Sequence, residues 1–169
     1  AYEIWEQLGF KSPDALIVPT GNGTLIIGAY LGFADLLKQG HIKRLPRLIA
    51  VQSAHCAPLD RMWQENLNAL PAIQTRDTIA EGIAIAAPER APQIVDIVRK
   101  TGGDILTVTD AETEQALLDI CRQGWYIEPT SATAIAAFKK ISSQEREIVV
   151  APFTGHGLKS TEKMLKLVQ

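Results

Sequence analysis

Cysteine is scarce. Cys56 and Cys121 are the only two in 169 residues, and neither belongs to a Cys-x-x-Cys pair. That excludes a disulfide framework and a recognisable zinc spacing, and it predicts reduced thiols in a cytoplasmic protein. Surplus charge of one sign is missing too. Lys and Arg number 17 against 19 Asp and Glu, a formal charge of −2, so no basic field favours nucleic acid or anionic membrane. Residues 15–34 hold no charge, but Pro19, Gly21, Asn22 and Gly23 interrupt them. The unbroken apolar part is about half the ~20 residues that a membrane span needs. The opening residues show no signal-peptide pattern. They lack an initiator Met and read as the inside of a helix, as a truncated or processed start would. No internal repeat or low-complexity linker occurs. Two nucleotide signatures are absent. After Gly21 and Gly23 the next glycine is Gly28, one residue late for the dinucleotide fingerprint, and no acidic residue ends the following strand. No Gly-Lys-Ser/Thr follows either, which excludes a nucleoside-triphosphate loop.

What is present is an ordinary globular composition, 46% apolar and 21% charged, enough for one domain with a real core. Its organising stretch is Pro19-Thr20-Gly21-Asn22-Gly23-Thr24. A strand over 15–18 runs into this turn, and a helix starts at once. The glycines allow close backbone approach, and helix-start N–H groups carry partial positive charge, so the turn makes a seat for a phosphate or similar anion. A tight strand-to-helix turn with no ligand is the other reading of the same residues.

Hydrophobic periodicity predicts helices over 2–8, 24–38, 60–70, 92–100, about 110–121, 132–140 and 161–168. It predicts strands over 15–18, 48–51, 105–108 and 148–151, with 125–127 a short extended piece. Thr109 and Glu112 form a capping box. Residues 78–87 are ambiguous. Helices 24–38 and 132–140 are apolar nearly all round and should be covered on both sides. Gly28 and Gly32, one turn apart, suggest close approach by another backbone. Strands alternating with helices predict an open, mostly parallel α/β sheet with helices on both faces and right-handed crossovers.

Four polar or glycine-rich clusters lack an obvious core role: 20–24, 53–56, 130–131 and 154–157. Each follows a strand, and the carboxyl ends of parallel strands share one edge. The four should therefore gather where such sheets bind ligands. Thr130 or Ser131 could equally be a helix N-cap. Cys56 reads as a packed thiol, since no oriented base accompanies it. His156 is a candidate acid–base by residue type, or a loop histidine held by the backbone. His41, His55 and His156 show no metal-ligand spacing.

These stretches resemble the threonine synthases, within the pyridoxal-phosphate enzymes of the tryptophan-synthase-β type. The likeness lies in 19–24, 52–58, 128–132 and above all Thr154-Gly155-His156-Gly157-Leu158-Lys159, and it runs over essentially the whole chain. The glycine-rich turn is shared with threonine and serine dehydratases. The resemblance implies that Gly21, Asn22, Gly23 and Thr24 hold the phosphate of pyridoxal 5'-phosphate through backbone N–H groups. It implies that Thr154 offers its hydroxyl to the pyridine nitrogen, and that Ser131 lies near the ring or substrate. A neutral hydroxyl partner of this kind would not hold a proton on that nitrogen as a carboxylate would. His156 and Lys159 match the motif without an assigned role.

The chain departs from the family at one point. The Schiff-base lysine of these enzymes lies upstream of the glycine-rich turn, and here only Lys11, in a surface turn, precedes it. The resemblance then implies a single α/β domain over 1–169 that is the carboxyl-terminal portion of a two-domain lyase. It would act as a homodimer or with an amino-terminal portion, and be inactive alone. The family reaction converts O-phospho-L-homoserine and water to L-threonine and phosphate. A dehydratase-like lyase portion, a non-catalytic module binding a phosphorylated ligand, and a nicotinamide domain, disfavoured by the late glycine, are the alternatives.

Overall fold

The computed structural model describes residues 1–141 and 147–167, with side chains through residue 165. Four strands, β1 (Ala15–Pro19), β2 (Arg47–Ser53), β3 (Asp104–Val108) and β4 (Val149–Val150), form one parallel sheet in the order β3-β2-β1-β4. Around it lie α1 (Tyr2–Gln7), α2 (Thr24–Lys38), α3 (Pro58–Gln64), α4 (Ala91–Lys100), α5 (Asp110–Arg122), α6 (Pro129–Phe138) and α7 (Thr161–Leu167). Among the described residues, no helix is long and apolar enough to cross a membrane.

The continuous apolar runs of β1 and β2 are buried on both faces, as central parallel strands must be. Their period of two divides the core. Leu16, Val18, Leu48, Ala50 and Ile105 meet α2, α3 and α4 through Phe33, Leu59 and Ile94. Ala15, Ile17, Ile49, Val51 and Val108 face the other way, onto Ala116 of α5 and Ala134, Ala136 and Ala137 of α6.

The two all-apolar helices end differently. α6 is covered within this chain by α5, β1, β2 and β3, and its alanines let the sheet come close. α2 is covered on one side only and leaves Leu25, Gly28 and Leu31 in solvent. The glycine expectation holds at one of two positions. A Cβ on Gly32 would lie 2.6 Å from the Ala1 Cβ, whereas Gly28 faces nothing within 4 Å.

Boundaries also shift. α3 stops at Gln64 rather than 70, because Asn66 turns left-handed (φ 49°) and the Leu67 N–H donates to the Met62 carbonyl at 2.9 Å. α6 starts at Pro129, earlier than 132. β4 is shorter than 148–151 because it pairs only with Ala15 and Leu16, at the base of β1. In 78–87 the one helical piece is a 3-10 turn, Glu81–Ile83. The helix expected over 161–168 is described over Thr161–Leu167, and residue 168 lies outside the described residues.

The capping box forms as read. Thr109 Oγ1 accepts from the Glu112 N–H at 3.2 Å, and Glu112 Oε2 accepts from the Thr109 N–H at 2.7 Å. Burial raises the Glu112 carboxyl, but Lys140 and the Thr109 donors outweigh it and hold the group below the usual carboxylate range. We expect Thr109→Ala to lower unfolding stability by about 1 kcal/mol in urea titrations. The wild-type advantage should be complete above the ordinary glutamate pKa. It should fade as pH falls through the lowered folded value.

Candidate functional site

The chain steps from β1 to β2 to β3 in one direction, then returns to place β4 on the other side of β1. A crevice opens at such a reversal, beyond the carboxyl ends of the strands. The glycine-rich turn follows β1 and the Thr154 turn follows β4, so the topology delivers both to that crevice.

The first wall is pinned from beneath. The Thr20 N–H donates to the Val51 carbonyl at 2.8 Å, and its hydroxyl to the Val18 carbonyl at 2.7 Å. Gln52 is completely buried. Its Nε2 reaches the Thr20 carbonyl at 3.4 Å, and its Oε1 accepts from the Leu59 and Asp60 N–H groups at 2.8 and 3.1 Å. One side chain thus ties the turn to the start of α3. Gly23 sits at φ 80°, where a Cβ would fall 2.2 Å from Ile94 Cδ1. No side chain caps α2, and its first-turn N–H groups meet the turn where Asn22 and Thr24 are exposed. A hollow of about 380 Å³ adjoins them, lined also by Ala87, Glu89 and Arg90.

The second wall centres on Ser131, also completely buried. Its Oγ accepts from the Thr154 and Gly155 N–H groups at 2.9 and 3.2 Å, and lies 3.1 Å from Thr154 Oγ1. The Thr154 hydroxyl donates to Glu128 Oε1 at 3.0 Å. Neither Thr130 nor Ser131 is the N-cap of α6; Glu128 holds that position and Pro129 the next, where a missing N–H costs nothing. Ser131 is therefore free to hold the facing turn. His156 is held by the backbone, its Nδ1 accepting from the Leu158 N–H at 3.2 Å.

The two walls meet through the 3-10 turn. A Cβ on Gly21 would lie 3.2 Å from Ile83 Cα and 3.3 Å from the Gly82 carbonyl, and one on Gly82 would lie 2.8 Å from Thr130 Oγ1. Gly21, Gly82, Thr130, Ser131 and Thr154 thus form one contiguous line along the carboxyl edge. The 53–56 cluster reaches the same edge but turns to a separate hollow of about 660 Å³. There the Ser53 hydroxyl donates to Thr78 Oγ1 (2.9 Å), which donates to Asp110 Oδ1 (2.6 Å). Cys56 lines this hollow, and burial pushes its thiol pKa up, against a nucleophilic role. Among the described residues, no group of three or more His, Cys, Asp and Glu side chains is placed to hold a metal.

Sequence reasoning missed Gln52, Gly82 and Glu128 as parts of this edge. Gln52 and Glu128 carried a signal, since both lie in stretches that bear the resemblance, and Glu128 is also an acid before Pro at the head of an apolar helix.

An uncapped helix start and a hydroxyl held by a buried serine meet at one switch point of an α/β domain, the place where such sheets take ligands. A model of the family described as "Pyridoxal-phosphate dependent enzyme" matches residues 1–155, and the chain belongs to that family. It is 32% identical over 171 residues to a threonine synthase of Methanocaldococcus jannaschii, covering 98% of this chain and 42% of that protein. It is 30% identical to one of Methanosarcina acetivorans, covering 99% and 43%. The chain therefore spans less than half the length of these curated relatives. Among solved structures, an L-serine ammonia-lyase from Rhizomucor miehei superposes with a TM-score of 0.76 at 20% identity, covering 98% of this chain and 53% of that one. The threonine synthase of Escherichia coli gives 0.69 at 22%, covering 93% and 36%. The likeness in both is of fold.

The residues present fit pyridoxal phosphate on two observations. An uncapped helix start lies behind a glycine that no side chain could replace without collision. The Thr154 hydroxyl, meanwhile, has hydrogen-bonding capacity left unfilled. Ser131→Ala should orphan two backbone N–H groups and cost about 2 kcal/mol. Amide exchange at Thr154 and Gly155 should accelerate more than exchange in β1 and β2.

Proposed function

We propose that this chain is the cofactor-holding α/β part of a cytoplasmic, pyridoxal-phosphate-dependent threonine synthase. The reaction is conversion of O-phospho-L-homoserine and water to L-threonine and phosphate. One observation carries the reading: the contiguous edge joining the Gly21–Thr24 turn to Thr154 through Gly82, Thr130 and Ser131. Threonine synthases at 30–32% identity support the choice of reaction within the family.

The geometry supports a role for each residue. The N–H groups at Gly21, Asn22, Gly23 and Thr24 bind the cofactor's phosphate, aided by the positive end of α2. Thr154 hydrogen-bonds the ring nitrogen, and Ser131 fixes its direction. Bound pyridoxal phosphate supplies an electron sink for negative charge developing on the substrate's carbon chain.

The anchoring lysine is contributed from outside these residues. Lys11 precedes β1 at the end of the sheet opposite the turn, about 17 Å away along a five-residue strand. Lys159 pairs with Glu128 at 3.7 Å, and Lys163 with Glu81 at 2.5 Å. This portion accordingly works with an amino-terminal portion or as a homodimer.

Two measurements check the proposal. The chain should bind pyridoxal phosphate with a shifted phosphorus-31 signal, and Gly23→Ala should weaken binding at least about tenfold while far-UV dichroism is retained. Supplied with the cofactor and O-phosphohomoserine, the chain alone should release neither threonine nor phosphate; release would refute its dependence on an outside lysine. Product analysis of the full-length reading frame separates the alternatives, since a dehydratase would instead give a 2-oxo acid and ammonia.

A further inference from the structure

Gly21 is buried, yet among the described residues no acceptor meets its N–H. The direction of that N–H is set at the other end of the same peptide unit, by the Thr20 carbonyl. Across a trans peptide the C=O and the N–H point opposite ways, and among the described residues every peptide is trans. The Thr20 carbonyl faces β2 and α3, where the Gln52 Nε2 group donates to it at 3.4 Å. The Thr20 N–H points to the same side, donating to the Val51 carbonyl at 2.8 Å. The Gly21 N–H therefore points away from β2. β4 lies on that side of β1, so this N–H is aimed into the crevice that Thr154 borders.

Gln52 suits this task because an amide has two unlike ends. The Leu59 and Asp60 N–H groups, at 2.8 and 3.1 Å, both need an acceptor and so claim Oε1. That leaves the nitrogen, with its hydrogens, facing Thr20. The side chain is completely buried, so water cannot replace either bond. A carboxylate of the same shape would keep the bonds to Leu59 and Asp60. On the Thr20 side it would set one acceptor against another. A donor on the carbonyl also polarises the whole peptide unit, which makes its N–H a stronger donor.

We propose that Gln52 is a positioning residue for the cofactor's phosphate: by donating to the Thr20 carbonyl it fixes the plane of the Thr20–Gly21 peptide and directs the Gly21 N–H at the phosphate. This rests on the cofactor reading above and adds to it a residue that lies behind the turn and does not touch the ligand. The coupling is reciprocal. A phosphate that takes the Gly21 hydrogen makes the Thr20 oxygen a better acceptor, and so tightens its bond to Gln52. The start of α3, held by the other end of the same amide, becomes part of the seat's support.

The test uses the full chain, labelled with nitrogen-15, and pyridoxine 5'-phosphate. This probe keeps ring and phosphate but has no aldehyde to react with lysines. Binding to the wild-type chain should move the Gly21 amide proton downfield. It should also move the Gln52 side-chain amide proton that faces Thr20, although that group lies behind the turn. Gln52→Glu should bind the probe about tenfold more weakly and lose most of the Gly21 displacement. Its far-UV dichroism and its Leu59 and Asp60 amide signals should be retained. Equal affinities for wild type and Gln52→Glu would overturn the proposal. So would weaker binding by Gln52→Glu with the Gly21 displacement intact, since a purely structural role would give that result. The wild-type signals decide the matter even where the variant does not fold: a Gln52 side-chain proton that stays still while Gly21 moves removes the role of Gln52 and leaves the cofactor reading standing. Failure of the probe to bind the wild-type chain would refute both together.

Discussion

Everything at the carboxyl edge depends on β1 being paired on both sides. Its partners β2 and β4 come from opposite ends of the sequence, and all three strands run the same way. Parallel pairing forces the turns that leave them onto one rim. It also explains why β1 has five consecutive buried residues and no room for charge. A slip of one residue in β1 would exchange Leu16 and Val18 with Ala15 and Ile17 between two differently shaped cores. It would also carry the glycine turn away from Gly82. The position of the site and the packing of the core are thus one constraint.

The rim is built from buried polar side chains serving backbone groups. Gln52 satisfies the start of α3 while holding the end of β1, and Ser131 satisfies the turn after β4. Each leaves little free polarity behind, because each is fully bonded where it is fully buried. What stays open is on the crevice side: the start of α2 and the unfilled bonding capacity of Thr154. Rigidity beneath with unfilled capacity above is the pattern expected of a preorganised binding edge.

Strand order aside, much of this was legible in the sequence. The runs at Leu48 and Ile105 announced buried strands, Thr109 and Glu112 announced a cap, and Gly21 and Gly23 announced a close-approach turn. The hidden parts depended on tertiary contacts. Nothing local says that Gly82 sits under Thr130, or that Gln52 reaches two residues of another element. That the expected cover on α6 comes from this chain was equally invisible, since a run of alanines reads the same whether its neighbours come from this chain or another. Asn66 ended α3 early because a left-handed residue costs little there, a choice that hydrophobic periodicity does not register. Thr130 and Ser131 were open to a cap reading because their residue types favour that position; Glu128 and Pro129 had already taken the helix start.

The brevity of β4 bears on how the molecule comes apart. Two residue pairs tether it to β1, whereas β2 is held along its length on both sides. Local opening starts at the weakest-held strand, so on warming β4 leaves the sheet first, and the arm bearing Thr154 then hangs on its bonds to Ser131 and Glu128 while the other three strands remain together. Ligand capture and bulk secondary structure are then lost at separate temperatures, the former first.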